Sequence, residues 1–592
     1  MKRADQLVLA ALAVLVVAVA APYLAAYRLP FNDLPGHLGG ASVFIHFDDP
    51  SYRLAEHYEK TFQIVPYMLF YGFAWLAAHA GLLSWAPNLF IVLFDAIGLS
   101  LAVLALVYAF KRDRALVLLA PALTLNHVVF YGFLDSSGAT TLALLALALQ
   151  EVQSREAPRL WRDAVLAALG AAVALGHLMA FFALCALAPT LAACHTVRPA
   201  ALARRLAWLV PGLLLLGVGL ANLTKTLQGG QEHLRWGFPP FRGVHLGLVE
   251  RITAPYQWLF SNYHDAWQEH AHAGVWLATL AGAAVIALWL RRRAAPAAAP
   301  DGAAVVVVSA DAPTVAAPPR GGLTGAAPRW AIPAAALALV IVAFVIPGAK
   351  GPLLKVRLGL VGLAAVGLAL WTLHFPRVGV LARRHRIAVL FGVVLLLFNL
   401  LPLSLPQWFG VNIRLVIPMG VLALLLVPAG TFAGRRAWLV APAALATLLF
   451  SLWVAADLHR WNTTYMDGFE TAIAGVARGS RYVVLHEIRG EHYRTRANLF
   501  DCGYVMAEKG GVCTQVLILG GGSWVKLKAG RYPAPASGRT AEWRCDKFAA
   551  LYDYVLVSGP IAKNPFDCLG DRGPPAVAAG NWRLYVAPGV TH

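Results

Sequence analysis

The stretch LVLAALAVLVVAVAAPYLAAY, residues 7–27, runs straight into RLPFNDLPGHL, residues 28–38. The first part carries no charge and is long enough to cross a hydrocarbon core, which takes about 20 residues of helix. Met1-Lys2-Arg3 precedes it, and that basic start favours the cytoplasmic side. Ala18-Val19-Ala20 offers a small-residue cleavage site, but the apolar run continues to about Tyr27, long for a signal peptide. The expectation is a retained first helix. The second part changes character at once. It puts a carboxylate, Asp33, and an imidazole, His37, just beyond the end of that helix. The two are four residues apart and share a face if the segment turns helical.

The rest of the chain repeats the first theme. Of 592 residues, 59% are hydrophobic and only 13% charged, with mean hydropathy +0.63. A soluble chain carries roughly 25% charged residues, so a soluble enzyme is excluded. The net charge of +19 invites a nucleic-acid reading, but the basic residues do not line one face. They cluster between apolar runs, at Lys111–Arg114, Arg204-Arg205, Arg291–Arg293, Arg383–Arg386 and Arg435-Arg436, as cytoplasmic loops do. Placing every cluster inside predicts crossings at about 7–27, 87–110, 115–131, 138–150, 164–177, 178–194, 206–223, 274–290, 330–346, 353–372, 387–401, 414–430 and 437–456. The apolar stretch 62–80 is then a re-entrant or juxtamembrane helix, because a crossing there would put Lys111–Arg114 outside. The fold class is mostly α: a polytopic membrane bundle of about 13 helices over 1–456, with an extracytoplasmic α/β domain over 457–592.

Two further segments leave the membrane on the outer side, 28–61 and 224–273. Residues 294–328, rich in Ala and Pro, read as a flexible cytoplasmic linker. No internal repeat is visible, which argues against a transporter built from duplicated halves. In the C-terminal segment Phe469–Val476 reads as helix. Tyr482–Leu485, Gln515–Leu519, Tyr554–Val557 and Trp582–Val586 read as strands, and Phe548–Tyr552 leads into the third. Gly520–Gly522 lacks the Gly-Lys-Ser/Thr ending of a phosphate loop. Cys502, Cys513, Cys545 and Cys568 all fall in this segment. An even set suggests disulfides and an oxidising compartment; the sequence leaves their pairing open. Cys185 and Cys194 lie in apolar helices and read as packing residues.

Several groups could carry chemistry. A carboxylate at the mouth of a bundle, such as Asp33, can deprotonate an arriving hydroxyl; an ordinary loop acid capping a helix is the competing reading. Asp135, His177 and Arg414 sit at other outer helix ends. The loop 224–273 offers His233, Arg235 and Arg242 for a lipid phosphate, since Arg pairs with phosphate oxygens bidentately; solvated surface charges are the alternative. His264-Asp265, Glu269-His270 and His272 hold enough ligand types for a metal, although clustered loop histidines are more often solvated. Asp95 falls inside an apolar run and reads as half of a structural pair within the bundle.

Taken together, these features resemble the GT-C superfamily of polyprenyl-phosphate-sugar-dependent membrane glycosyltransferases. The matching pieces are Asn32-Asp33-Leu34-Pro35-Gly36-His37 after the first helix and Val65–Tyr71 in the juxtamembrane slot. Tyr131–Asp135, Gly176-His177 and Asn412-Ile413-Arg414 follow at helix ends, and Tyr552–Val557 and Trp582–Tyr585 in the tail. The likeness covers most of the chain, as architecture more than motif. It implies an enzyme of the plasma (inner) membrane that moves a sugar from a polyprenyl-phosphate-linked donor to an extracytoplasmic glycan, lipid or protein acceptor, with inversion. Asp33 and His37 would be catalytic, with Asp33 the general base. Asp135, His177, His233, Arg235, Arg242 and Arg414 would bind substrate. Many members carry paired acids in the first loop, whereas Asp33 stands without an adjacent acid. No metal site is therefore assigned, and divalent-metal dependence stays open. The rival readings are a transporter or flippase of lipid-linked glycans, and a non-catalytic scaffold of the same architecture.

Overall fold

The computed structural model describes residues 3–229, 248–294 and 381–590, apart from short gaps of which 514–523 and 529–537 are the longest. The expected crossings 330–346 and 353–372, nearly all of the linker 294–328, the strand Gln515–Leu519, and His233, Arg235 and Arg242 lie outside the described residues.

The chain forms a helical bundle topped by a small sheet. Its helices are α1 Arg3–Ala25, α2 Leu34–Ile45, α3 Met68–His79, α4 Leu83–Ala109, α5 Leu134–Arg155, α6 Leu160–Gly176, α7 Leu178–His195 and α8 Pro199–Asn222. There follow α9 Leu248–Phe260, α10 Trp267–Ala294, α11 Arg386–Leu400, α12 Val416–Leu426 and α13 Ala441–Thr464. Among the described residues, six helices are long and apolar enough to cross a membrane. Their large apolar side chains stay exposed in rows, as Leu7, Val14, Val17 and Leu24 do on α1. Apolar faces this extensive fit a lipid solvent rather than water.

Three local departures from a plain helix matter. α3 has 12 residues, about 18 Å at 1.5 Å per residue, too short to cross. The expected third crossing is broken into two 3₁₀ turns, Arg114–Leu119 and Pro121–Thr124, and one turn of helix, His127–Phe130. Pro121 lacks the N–H that would continue the helix, and Asn126 starts the last turn by accepting from the amides of Val128 and Val129 at 2.8 and 3.2 Å. This irregular backbone is buried within the protein, the one place it is tolerated at membrane depth. Finally, Ile91–Gly98 within α4 is wound as a π-helix. Asp95 lies on it and accepts from the Ser137 hydroxyl at 3.1 Å. That partner is a neutral hydroxyl, not the charged half of an ion pair.

The C-terminal segment adds α14 Phe469–Ala474 and α15 Cys502–Lys509. Its strands are β2 Tyr482–His486, β4 Tyr554–Ser558, β5 Val577–Ala579 and β6 Trp582–Val586, in the order β2-β4-β6-β5. β2 and β4 run parallel, and the remaining pairs are antiparallel. The central strand β4, YVLVS, is buried on both faces, so it reads as a continuous apolar run rather than an alternation. A separate ribbon joins the two ends of the chain: β1 Tyr58–Lys60 pairs antiparallel with β3 Val525–Leu527. Cys502 bonds Cys513 and Cys545 bonds Cys568.

The sheet segment is bolted to the loop that follows α1. The buried Arg28 guanidinium donates to Glu470 at 2.9 Å and pairs with Glu508. The Tyr504 hydroxyl donates to Leu29 O at 3.0 Å, and the Trp524 indole to Gln63 O at 3.0 Å. α15 lies directly on α2: a Cβ on Gly503 would fall 1.8 Å from Pro35 O.

Candidate active site at the end of the bundle

Asp33 is placed by backbone, not by its own side chain. Its amide donates to Tyr131 O at 3.1 Å, and its carbonyl accepts the His37 amide at 3.0 Å, the first turn of α2. Pro35 sits in that first turn, where its missing N–H costs nothing. Gly132 makes the fit possible. It has φ +84°, and a Cβ there would lie 2.7 Å from the Leu34 amide nitrogen and 2.9 Å from that of Asp33. Asp33 and His37 therefore project from one face of α2, and both keep part of their surface accessible while their neighbours are buried.

Tyr67 arrives from the other direction. Its amide donates to Gly176 O at 3.0 Å, and it holds a left-handed φ of +89°, unfavourable for a bulky residue. Asp135 locks the following helix: its carboxylate accepts the Phe70 amide at 2.7 Å and the Leu69 amide as well. A carboxylate on the first amides of α3 satisfies donors that have no partner within the helix. Asp135 thus reaches the site by holding the segment that carries Tyr67.

Arg414, on the turn Ile413–Leu415 that leads into α12, gathers these groups. Its Nη1 lies 2.9 Å from His177 Nε2, its guanidinium sits 4.3 Å over the Phe133 ring, and it hydrogen-bonds the Tyr67 hydroxyl. Asp33 and Tyr131 lie within its electrostatic reach, as does His37. His177 stands at the N-cap position of α7, with Nδ1 at 3.2 Å from the Met179 amide. Both contacts cannot be hydrogen bonds, because a neutral imidazole has one accepting nitrogen. Arg414 can only donate and is the nearer, so Nε2 accepts from it and Nδ1 carries the proton. Arg414 Nε, Asn32 Oδ1 and His37 Nδ1 are buried with no protein partner among the described residues.

Burial pushes the Asp33 carboxyl up to about 7, with Arg414 and the Asn32 amide pulling the other way. Burial, helped by Arg414, lowers His37 to about 4. Near neutral pH the site therefore brings together a carboxyl raised toward neutrality, a neutral imidazole and a guanidinium. Beside Arg414 a small apolar space of about 20 Å³ lies between α5, α7 and α12. It is lined by Leu144, Leu147, Ala183, Leu184 and Leu187, with Arg414 at one end.

Of the sequence candidates, Asp33, His37, His177 and Arg414 come together, and Asp135 stands behind them. The sequence singles out neither Tyr67 nor Phe133. A tyrosine at positive φ has no local signature, and an arginine's aromatic seat is set by packing. The grouping of loop histidines as metal ligands dissolves. Glu269 accepts the Asn262 and Tyr263 amides, and His272 faces the Thr447 hydroxyl at 3.2 Å. The one metal-like group among the described residues, Cys545, Asp567 and Cys568, contains a disulfide.

No protein-family model and no curated protein matches the chain. Among solved structures, the chain is similar to ArnT from Cupriavidus metallidurans bound to undecaprenyl phosphate, at 12% identity over 99% of each chain with a TM-score of 0.45. It is also similar to the same protein in the apo state, at 13% identity over 98% of each chain with a TM-score of 0.42. At this identity and score the likeness assigns no residue a role.

Proposed function

We propose that the chain is a membrane glycosyltransferase that takes its sugar from a polyprenyl-phosphate-linked donor on the extracytoplasmic face. One observation carries the reading: the partly accessible Asp33 carboxyl and His37 imidazole lie within electrostatic reach of the buried Arg414 guanidinium, which His177 and Tyr67 hold at one end of the bundle. Arg414 suits the phosphate that links the isoprenoid chain to the sugar, because a guanidinium pairs bidentately with phosphate oxygens. Asp33 takes the proton of the acceptor hydroxyl as that oxygen attacks the anomeric carbon. The bond from that carbon to the phosphate oxygen breaks in the same step, and the configuration inverts. Negative charge then grows on the phosphate, where Arg414 and the Tyr67 hydroxyl stabilise it. His37 stays neutral and hydrogen-bonds the acceptor. His177 holds Arg414 in its orientation.

Asp33→Asn keeps the shape and removes the base, a change expected to lower transfer by about 10²–10⁴-fold without loss of expression. Arg414→Lys keeps the charge and loses the planar fork, so transfer falls while the fold is retained. Lipid-linked sugar transfer at wild-type rate by Asp33→Asn would exclude Asp33 as base. Flipping of lipid-linked glycan without transfer would favour the transporter instead.

A further inference from the structure

A cavity of about 460 Å³ lies on the same side of the molecule and is not lined by Asp33 or Arg414. His46, just past the end of α2, marks its distance. It is thirteen residues beyond Asp33, about 20 Å at 1.5 Å per residue. The floor is Tyr52, with the His46 ring stacked on it at 4.5 Å and the Arg478 guanidinium 5.3 Å from its centroid. Glu508 and Lys509 line one side, and Ser84 with Leu83 the other.

The glycines of the C-terminal segment build this floor. Gly510 has φ +65°, and a Cβ there would lie 2.4 Å from Tyr52 Cδ1; the Gly511 amide donates to Tyr52 O at 2.8 Å. Only residues free of a side chain can fold around Tyr52 so closely. The Gly479 amide donates to Lys509 O at 2.9 Å, which sets Arg478 beside Lys509.

The charges around the cavity are unequal in their freedom. Glu508 is paired with Arg28. Asp49 faces His46 and Arg478, but its carboxylate already accepts the amide and hydroxyl of Ser51. Lys509 donates to Ala474 O at 3.2 Å, one of its three protons. Among the described residues Arg478 makes no ion pair, and it is exposed. A stacked aromatic floor with one free guanidinium and one partly free ammonium is a seat for an anionic, oxygen-rich group. The surroundings supply the second half of the ligand. Beside Ser84 the chain exposes Leu82, and α3 exposes Trp75 and Leu76. These residues belong to the short helix α3 and to its exit turn.

We propose that this cavity binds the phosphate-bearing headgroup of an anionic membrane lipid from the leaflet on this side, its acyl chains lying along Trp75, Leu76 and Leu82. The site anchors the C-terminal segment to the lipid surface and is separate from the Asp33–Arg414 site.

The test uses the full-length Ser84→Cys protein. Cys502, Cys513, Cys545 and Cys568 are bonded, and Cys185 and Cys194 lie in α7. Labelling of position 84 by a small charged thiol reagent is followed in detergent micelles containing either phosphatidylglycerol or phosphatidylcholine. Phosphatidylglycerol should slow labelling at least threefold relative to phosphatidylcholine, and the added pair Arg478→Gln and Lys509→Gln should abolish the difference. Equal rates in the two micelles, or protection that survives the double substitution, overturns the proposal. Inorganic phosphate at millimolar concentration is the separate arm. Protection by phosphate alone as strong as by the lipid would overturn the lipid source and leave a soluble phosphate ligand. If the double variant fails to fold, Lys509→Gln alone must weaken the protection.

Discussion

At the level of single residues, the site turns on a balance between burial and charge at Asp33. Burial lifts its carboxyl to about 7, and Arg414 keeps it from going further. A base that must be ionised to act gives a rate that rises with pH and levels off above about 7. His37, lowered to about 4, does not titrate in that window. A pH–rate profile of sugar transfer with its midpoint below about 5 would contradict the assignment. The same shift bears on stability. A carboxyl raised from 3.8 in the unfolded chain to about 7 in the folded one favours the folded state while protonated. That contribution is complete below about 3.8 and lost as pH rises through about 7. Asp33→Asn is neutral throughout, so its thermal transition should rise above that of the wild type at pH 8 and match it at pH 4. Gly132 is the second pressure point. Gly132→Ala forces a Cβ against the Asp33 and Leu34 amides at positive φ, at a cost of about 1–3 kcal/mol. Transfer activity should fall more than expression does, because Asp33 is the first residue displaced.

At the level of elements, short pieces matter more than the long ones. α2 is only 12 residues, yet it carries Asp33 near its start, His37 one turn on and His46 just past its end. α15 is its backing plate. Gly503 touches Pro35 O so closely that any side chain must part the two helices. Gly503→Ala should therefore destabilise the protein by about 3 kcal/mol and lower sugar transfer, although it lies in neither cavity. A wild-type melting temperature in that variant would show that the two helices separate freely. The Cys502–Cys513 bond spans α15 from its first residue to the turn beyond it. It keeps that plate folded where α15, at eight residues, is too short to hold by itself.

At the level of the whole molecule, the first loop and the C-terminal segment form one unit. Arg28 with Glu470 and Glu508, the β1–β3 ribbon and the α2–α15 contact all join residues more than 400 positions apart. Both parts must therefore lie on the same side of the membrane, whatever the number of crossings between them. The expectation that basic clusters stay in the cytoplasm assigns that side to the outside, and this can be tested. A reporter enzyme active only after export, fused behind His592, should be active. A cytoplasmic signal from the intact fusion would invert the topology, and the proposed donor with it.

The sequence by itself determined the solvent of this chain and the order of its helices. Hydrophobic length and clustered charge are local quantities, and a bilayer reads them locally. It also marked Asp33, His37, His177 and Arg414, because a polar group at the end of an apolar run is conspicuous. Strands β2, β4 and β6 were legible from their apolar runs, whereas β1 and β3, three residues each, were not, since such strands exist only through each other. The third crossing looked continuous in hydropathy, and only packing inside the bundle lets Pro121 break it. Asp135 looked like a ligand residue, and only the approach of α3 turned its carboxylate to two amides. The pairing of four cysteines, the seat of Arg414 on Phe133 and the meeting of α2 with α15 belong to tertiary structure alone. Each depends on atoms far apart in the chain, and no local pattern encodes their approach.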